Sequence, residues 1–259
     1  MKKTLFWMIL IVAVGAPAAL YVWRHASTPE PQSVPPTSTP EPSIRYPVEP
    51  LGPAAESLPA LSDSDDFVSR ALTALFGGAL ENLLIPQNVV RRMVATLDNL
   101  ARDHVSSRLM PVKPAGGLPL TAQTDKGLAL HSENAARYAP YVRLAEAVPT
   151  DKLVALYVRF YPLLQQQYES LGYPNGYFND RVVQVIEQLL ATPDVEGQPL
   201  LVQRRVLYEF ADPDLEELSA GQKILVRIGA ENRAKIKAKL QEIRQALTSA
   251  NAKNDLAAP

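Results

Sequence analysis

The chain has no cysteine among its 259 residues. That excludes disulfides, cysteine-ligated zinc and thiol nucleophiles together. Histidine is scarce as well: His25, His104 and His131 lie far apart, and none has a neighbour at metal-ligand spacing. No sign of charge is in excess, since 26 Lys and Arg face 27 Asp and Glu for a formal charge of -1. Composition therefore offers nothing that would draw the chain to nucleic acid. Also missing are a Gly-x-Ser-x-Gly elbow, a P-loop, a dinucleotide fingerprint and a His-Glu-x-x-His pair. No catalytic residue, cofactor or metal ligand is expected from these residues, and an enzyme is the less favoured class.

What is present divides the chain into four. Residues 5–23 carry no charge, and their length is close to the roughly 20 residues a helix needs to cross a bilayer. Lys2 and Lys3 precede this run and Arg24 follows it. Trp7, Tyr21 and Trp23 stand near its ends, where amphipathic rings favour the headgroup region. A cleaved signal peptide ending near Ala16-Pro17-Ala18 is the competing reading, but the apolar run continues past that site. The expectation is thus a membrane anchor over residues 1–25. The lysine pair predicts an N-terminus on the cytoplasmic side, with the rest of the chain outside; in a bacterium that is the periplasm beyond the inner membrane.

Residues 26–60 hold ten of the 23 prolines, with Ser, Thr and Glu between them. Such a composition cannot bury a core and predicts a disordered, extended linker. It reads as a spacer, with a proline-rich recognition ligand as the sharper alternative. The remaining residues, 61–250, suit one domain by size, and 251–259 are expected to form a disordered tail.

Residues 61–250 read as mostly α, a compact multi-helix domain of about eight helices with a minor β-hairpin. Phe67, Val68, Ala71, Leu72, Leu75 and Phe76 recur at helical spacing after an N-cap at Ser62 or Asp63. Pro86 is expected to open the helix that buries Val89, Val90, Val94 and Leu97. Residues 118–123 and 128–131 can pair across Thr124-Asp125-Lys126-Gly127. Ser132 is expected to cap a helix that Pro140 kinks or splits. The strongest pattern runs from Leu153 through Phe160 and Leu164 to Leu171, with a bend at Pro162 and Gly172 as the left-handed residue after its end. Asn179 is expected to cap the next helix, which buries Val182, Val185, Ile186 and Leu189. Residues 200–210 fit a helix or an extended segment. Asp212-Pro213 starts another helix, Gly221 marks a break, and the last helix covers residues 230–248.

Three motifs carry a family resemblance. One is Leu171-Gly-Tyr-Pro-Asn-Gly-Tyr-Phe-Asn-Asp-Arg181, followed by Ile186, Leu189, Leu190, Ala191, Thr192 and Pro193. The others are Leu207-Tyr-Glu-Phe-Ala-Asp-Pro-Asp-Leu215 with Leu218-Ser-Ala-Gly-Gln-Lys223, and Asn134-Ala-Ala-Arg-Tyr-Ala-Pro-Tyr141. Together they resemble the bacterial domain of unknown function 3014, over about residues 58–247. The resemblance implies a single-pass envelope protein of a Gram-negative bacterium with a Pro-rich linker. It implies no activity, cofactor or catalytic residue.

A speculative ligand or partner surface follows from the residues themselves. Asn179, Asp180 and Arg181 at a helix start, with Tyr173, Asn175 and Tyr177 in the preceding turn, suit an anion, a sugar or a carboxylate. Arg137 and Tyr138 are candidates beside them. The plainer account has Asn179 capping, Asp180 complementing the helix dipole and the tyrosines packing. His131 with Glu133 reads as polar surface, and the basic last helix (Arg233, Lys235, Lys237, Lys239, Arg244) as a solvated face. The expected function is a membrane-anchored binding or scaffold module of the envelope, meeting an envelope protein or glycan, with oligomeric state open. The alternative is an envelope enzyme acting on glycan or peptide near Tyr173–Arg181 and the irregular residues 102–131.

Overall fold

The structure is a computed structural model that describes residues 44–48, 58–204 and 207–255. The expected membrane anchor, most of the linker and the end of the tail lie outside the described residues. No helix among those described is long and apolar enough to cross a membrane.

Among the described residues there are nine α-helices and two small antiparallel ribbons. In chain order these are α1 (Asp65–Phe76), α2 (Gly78–Glu81), α3 (Val89–Leu100), β1 (Thr121–Thr124), β2 (Gly127–Leu130), α4 (Asn134–Ala147), α5 (Thr150–Ser170), α6 (Phe178–Leu190), β3 (Leu201–Val202), β4 (Glu209–Phe210), α7 (Pro213–Glu216), α8 (Ala220–Arg227) and α9 (Ala230–Asp255). The count is one more than the expected eight.

The main core lies where α1, α3, α5 and α6 meet. Val68 and Leu72 come from α1, Val89, Val90 and Val94 from α3, Phe160, Leu163 and Leu164 from α5, and Phe178, Val182, Val183 and Ile186 from α6. These are the apolar stripes of the sequence, each an i, i+3, i+4 row facing one interior. The long α9 lies against α4, α5 and α6 and closes this core with Leu247. A smaller core joins Leu130, Leu201, Phe210, Leu215 and Val226, and a third joins Val185 and Leu189 to Leu225 and Ile228.

The hairpin forms, but Thr124 pairs with Gly127 and Thr121 with Leu130, so its turn is Asp125-Lys126 alone and its first strand starts at Thr121 rather than 118. Residues 200–210 resolve as extended rather than helical: Leu201 pairs with Phe210 and Val202 with Glu209. Gly172 follows the end of α5 at φ 106°, a left-handed conformation that favours glycine.

Several helix boundaries differ from the sequence reading. Residues Leu61–Asp63 form a 3-10 turn, so α1 starts at Asp65. Pro86 precedes its helix rather than opening it. The start of α3 lies at Asn88, and both oxygens of Asp65 accept backbone N–H groups there, from Asn88 at 2.6 Å and Val89 at 2.8 Å. Ser132 does not cap α4, which begins after Glu133. Neither Pro140 nor Pro162 splits its helix; both stand at exposed positions, where the carbonyl that loses its partner can face water. Gly221 marks no break. The chain breaks at Glu217–Ser219, where Ser219 and Gln222 form a reciprocal capping box, and Gly221 lies inside α8. The last helix continues past Thr248 to Asp255, a stretch with no Gly or Pro to stop it.

Candidate functional site

The turn between α5 and α6 is shaped by one side chain. Gln165 of α5 donates through Nε2 to the carbonyl of Gly176 at 2.7 Å. Its Oε1 accepts from the Phe178 backbone N–H at 2.8 Å and from the Tyr161 hydroxyl at 3.0 Å. Phe178, the first residue of α6, is then driven into the core at 2% exposure. This locks the three following functional side chains in place.

Asn179 is not the N-cap; that position belongs to Tyr177. Asn179 lies in the first turn, fully buried, where its backbone N–H donates to the Tyr161 hydroxyl at 3.2 Å and its Oδ1 accepts from the Tyr157 hydroxyl at 3.0 Å. Burial, with Tyr177 and Asp180 nearby, holds the Tyr157 phenol well above its ordinary pKa, and burial does the same to Tyr161. Both phenols stay protonated and fix the amide. With Oδ1 committed, the Asn179 Nδ2 points its hydrogens outward.

What it meets is the chain's own linker. Asn179 Nδ2 donates to the carbonyl of Tyr46 at 2.8 Å. The two oxygens of Asp180 accept from the backbone N–H groups of Arg45, at 2.9 Å, and Tyr46, at 2.8 Å. The Tyr177 hydroxyl accepts from the Val48 N–H at 2.5 Å. Pro47, between them, has no N–H to satisfy and fixes its own φ. Tyr46 and Val48 pack against the main core. Residues 44–48 are thus held as a strap that bends at Arg45 and Tyr46, gripped by main-chain hydrogen bonds and seated by two side chains. Part of the expected spacer is a bound segment.

The remaining candidates are placed elsewhere. Tyr173 and Arg181 turn to Asp98, a residue of α3 that sequence reasoning missed. Asp98 is 5% exposed. Its Oδ1 accepts from Arg181 Nε at 2.8 Å, its Oδ2 from Arg102 at 2.8 Å and from the Tyr173 hydroxyl at 3.1 Å, and its carbonyl from Arg181 at 2.8 Å. Arg102 also donates to the Tyr173 hydroxyl. Hydrogen bonding to Asp98 raises the Arg102 pKa. The Tyr173 ring stacks on Tyr168 with centroids 4.5 Å apart. A signal for Asp98 existed: it continues the i+4 row of Val90 and Val94, an acid on a buried stripe, with Arg102 four residues on.

Asn175 is exposed at the turn. Arg137 ties down the irregular loop, donating to the carbonyls of Leu118 and Gly117 at 2.8 Å each and to that of Gly116. Tyr138 lines two hollows, described below, one of which Leu118 of that loop also lines. His131 accepts through Nδ1 from the Glu133 backbone N–H at 3.2 Å. The basic residues of α9 are largely spent on ion pairs: Arg233 with Asp194, Lys235 with Glu231, Lys239 with Glu242 and Arg244 with Glu187. No group of three His, Asp or Glu suited to a metal occurs among the described residues.

The cradle formed by Tyr177, Asn179 and Asp180 thus holds a bent peptide segment by its backbone. Tyr173 and Arg181 are thus tied to Asp98, while Tyr177, Asn179 and Asp180 hold the strap. The family model described as protein of unknown function (DUF3014) matches residues 89–244, more than half of the chain. No curated protein and no solved structure matches it.

Proposed function

This chain belongs to the DUF3014 family, and we propose that it is a non-catalytic binding or scaffold module held on a membrane tether. Residues 5–23 cross the inner membrane of a bacterium once, with the N-terminus cytoplasmic and the helical domain in the periplasm. The domain meets an envelope protein or glycan there. The observation that carries the reading is the strap. The Tyr177–Asn179–Asp180 cradle grips residues 45, 46 and 48 by their backbone. On this reading the tether reaches the domain at residue 44. The proposed spacer is then residues 26–43.

Asp180→Ala should release the strap without unfolding the domain. Hydrogen exchange at the Arg45 and Tyr46 amides should accelerate at least about tenfold, the loss expected for hydrogen bonds to a charged group. The melting temperature should change little. Unchanged exchange at these amides would refute the cradle.

The absence of native cysteine allows a clean test of placement. Ser62→Cys should react with a membrane-impermeant maleimide in cells with a permeabilised outer membrane, and Lys3→Cys should not. Labelling of both or of neither would remove the single-span, domain-outside arrangement.

A further inference from the structure

Arg227, the last residue of α8, stands apart from the other buried or part-buried cations. Arg233 is paired with Asp194, Arg181 with Asp98, Lys223 with Glu216 at 2.7 Å and Lys239 with Glu242. Among the described residues no hydrogen bond or ion pair holds the Arg227 guanidinium. Its one close partner is the ring of Phe210, 4.8 Å from its carbon. Burial holds its pKa below the ordinary arginine value, opposed by Glu216 and Tyr138. Glu216 cannot serve it further: one oxygen accepts from Lys223 at 2.7 Å and the other from the Phe210 N–H at 2.8 Å. The end of a helix and an aromatic face compensate some of the charge. Its five N–H donors meet no protein acceptor, and the part-buried side chain is left free to take one from outside the chain.

The surroundings explain what an acceptor would look like. Arg227 lines three adjoining hollows, of about 410, 310 and 260 Å³. The largest lies between the loop at residues 110–115, α4, α8 and the start of α9. Its wall is apolar, with Met110, Val142, Ile224, Ile228 and Ile236 among its members. It contains no Asp or Glu; Arg227 lines it, as does Lys113, whose Nζ donates to the Asn82 carbonyl at 2.8 Å. Tyr138 lines both this hollow and the 310 Å³ one, and its hydroxyl has no partner among the described residues. An apolar chamber of this size with one unpaired, part-buried guanidinium at its edge is complementary to a molecule with a greasy body and a single anionic end.

We propose that this chamber binds a small amphipathic monoanion, an aryl- or alkyl-carboxylate, with its apolar part against Met110, Val142 and Ile236 and its carboxylate on Arg227. Tyr138 donates the second hydrogen bond. The site shares no residue with the strap cradle, so either can fail without the other.

The test uses the full chain, with 4-phenylbutyrate, its neutral amide 4-phenylbutanamide and inorganic sulfate as probes in titration calorimetry. Phenylbutyrate should bind at least tenfold more tightly than the amide, and sulfate more weakly than phenylbutyrate. Arg227→Met should abolish the preference for acid over amide while leaving the melting temperature equal or higher, because a poorly compensated charge has been removed. Arg227→Lys should keep part of the preference. Ile224→Trp, which fills the chamber, should weaken both organic probes. Equal affinity for acid and amide, or no binding of phenylbutyrate at millimolar concentration, overturns the proposal. Sulfate binding as tightly as phenylbutyrate overturns the role of the chamber. If Arg227→Met fails to fold, the acid, amide and sulfate comparison on the wild-type chain decides alone.

Discussion

Asp98→Ala should cost about 3–5 kcal/mol of stability, the loss expected when one partner is removed from a buried ionic cluster. The carboxylate lies at 5% exposure and accepts from Arg102, Arg181 and Tyr173. Removing it leaves Arg181, whose side chain is 17% exposed, as an uncompensated charge next to the core. It also frees Tyr173, and with it the stacked Tyr168–Tyr173 pair that packs the turn before α6. Urea unfolding of wild type and Asp98→Ala measures the difference. Asp98→Asn should recover part of the loss, since an amide oxygen still accepts from one arginine. A loss under about 1 kcal/mol would show that the cluster behaves like a surface ion pair.

Gly221→Val should destabilise by about 3 kcal/mol, at the upper end of the range for overpacking. A Cβ at position 221 would stand 2.5 Å from Leu189 Cδ2, 3.0 Å from the Leu100 carbonyl oxygen and 3.2 Å from Leu100 Cβ. Leu189 can rotate away, but the Leu100 carbonyl is the C-terminal backbone of α3. It cannot yield without moving α3, or moving α8 off the Ala220 N–H to Arg102 carbonyl bond of 2.7 Å. Gly221→Ala should cost less, because a gain in helix propensity of about 1 kcal/mol offsets part of the clash. Thermal melts of the two variants check the order Gly, Ala, Val. A more stable Val variant would mean that the two helices are not in contact here.

Both effects bear on the strap. Asp98 holds Arg181 one residue beyond Asp180, and α8 braces the end of α6 that begins at the cradle. A domain loosened at either place presents the linker segment less firmly.

The order of amino acids alone determined the helical class, the apolar stripe of each long helix, the hairpin across Thr124–Gly127 and the left-handed glycine after α5. All depend on neighbours within one or two turns, where spacing of apolar residues and the φ demanded of one residue decide the outcome. Family membership was legible for the same reason, in continuous motifs. The strap was not, although Ile44-x-Tyr46-Pro47-Val48 is an aliphatic and aromatic cluster in an otherwise polar linker. Its acceptor, Asp180, lies 135 residues from Arg45, and no local pattern encodes that pairing. Asp180 could be read as complementing its own helix, and Asn179 as a cap, because both residue types favour helix starts whatever they hold. Gly221 looked like a break because close approach of α3, 121 positions before it at Leu100, is invisible along the chain. Only packing decided these points, since a buried carboxylate, a missing Cβ or an unpaired guanidinium acquires meaning from atoms brought to it by the rest of the fold.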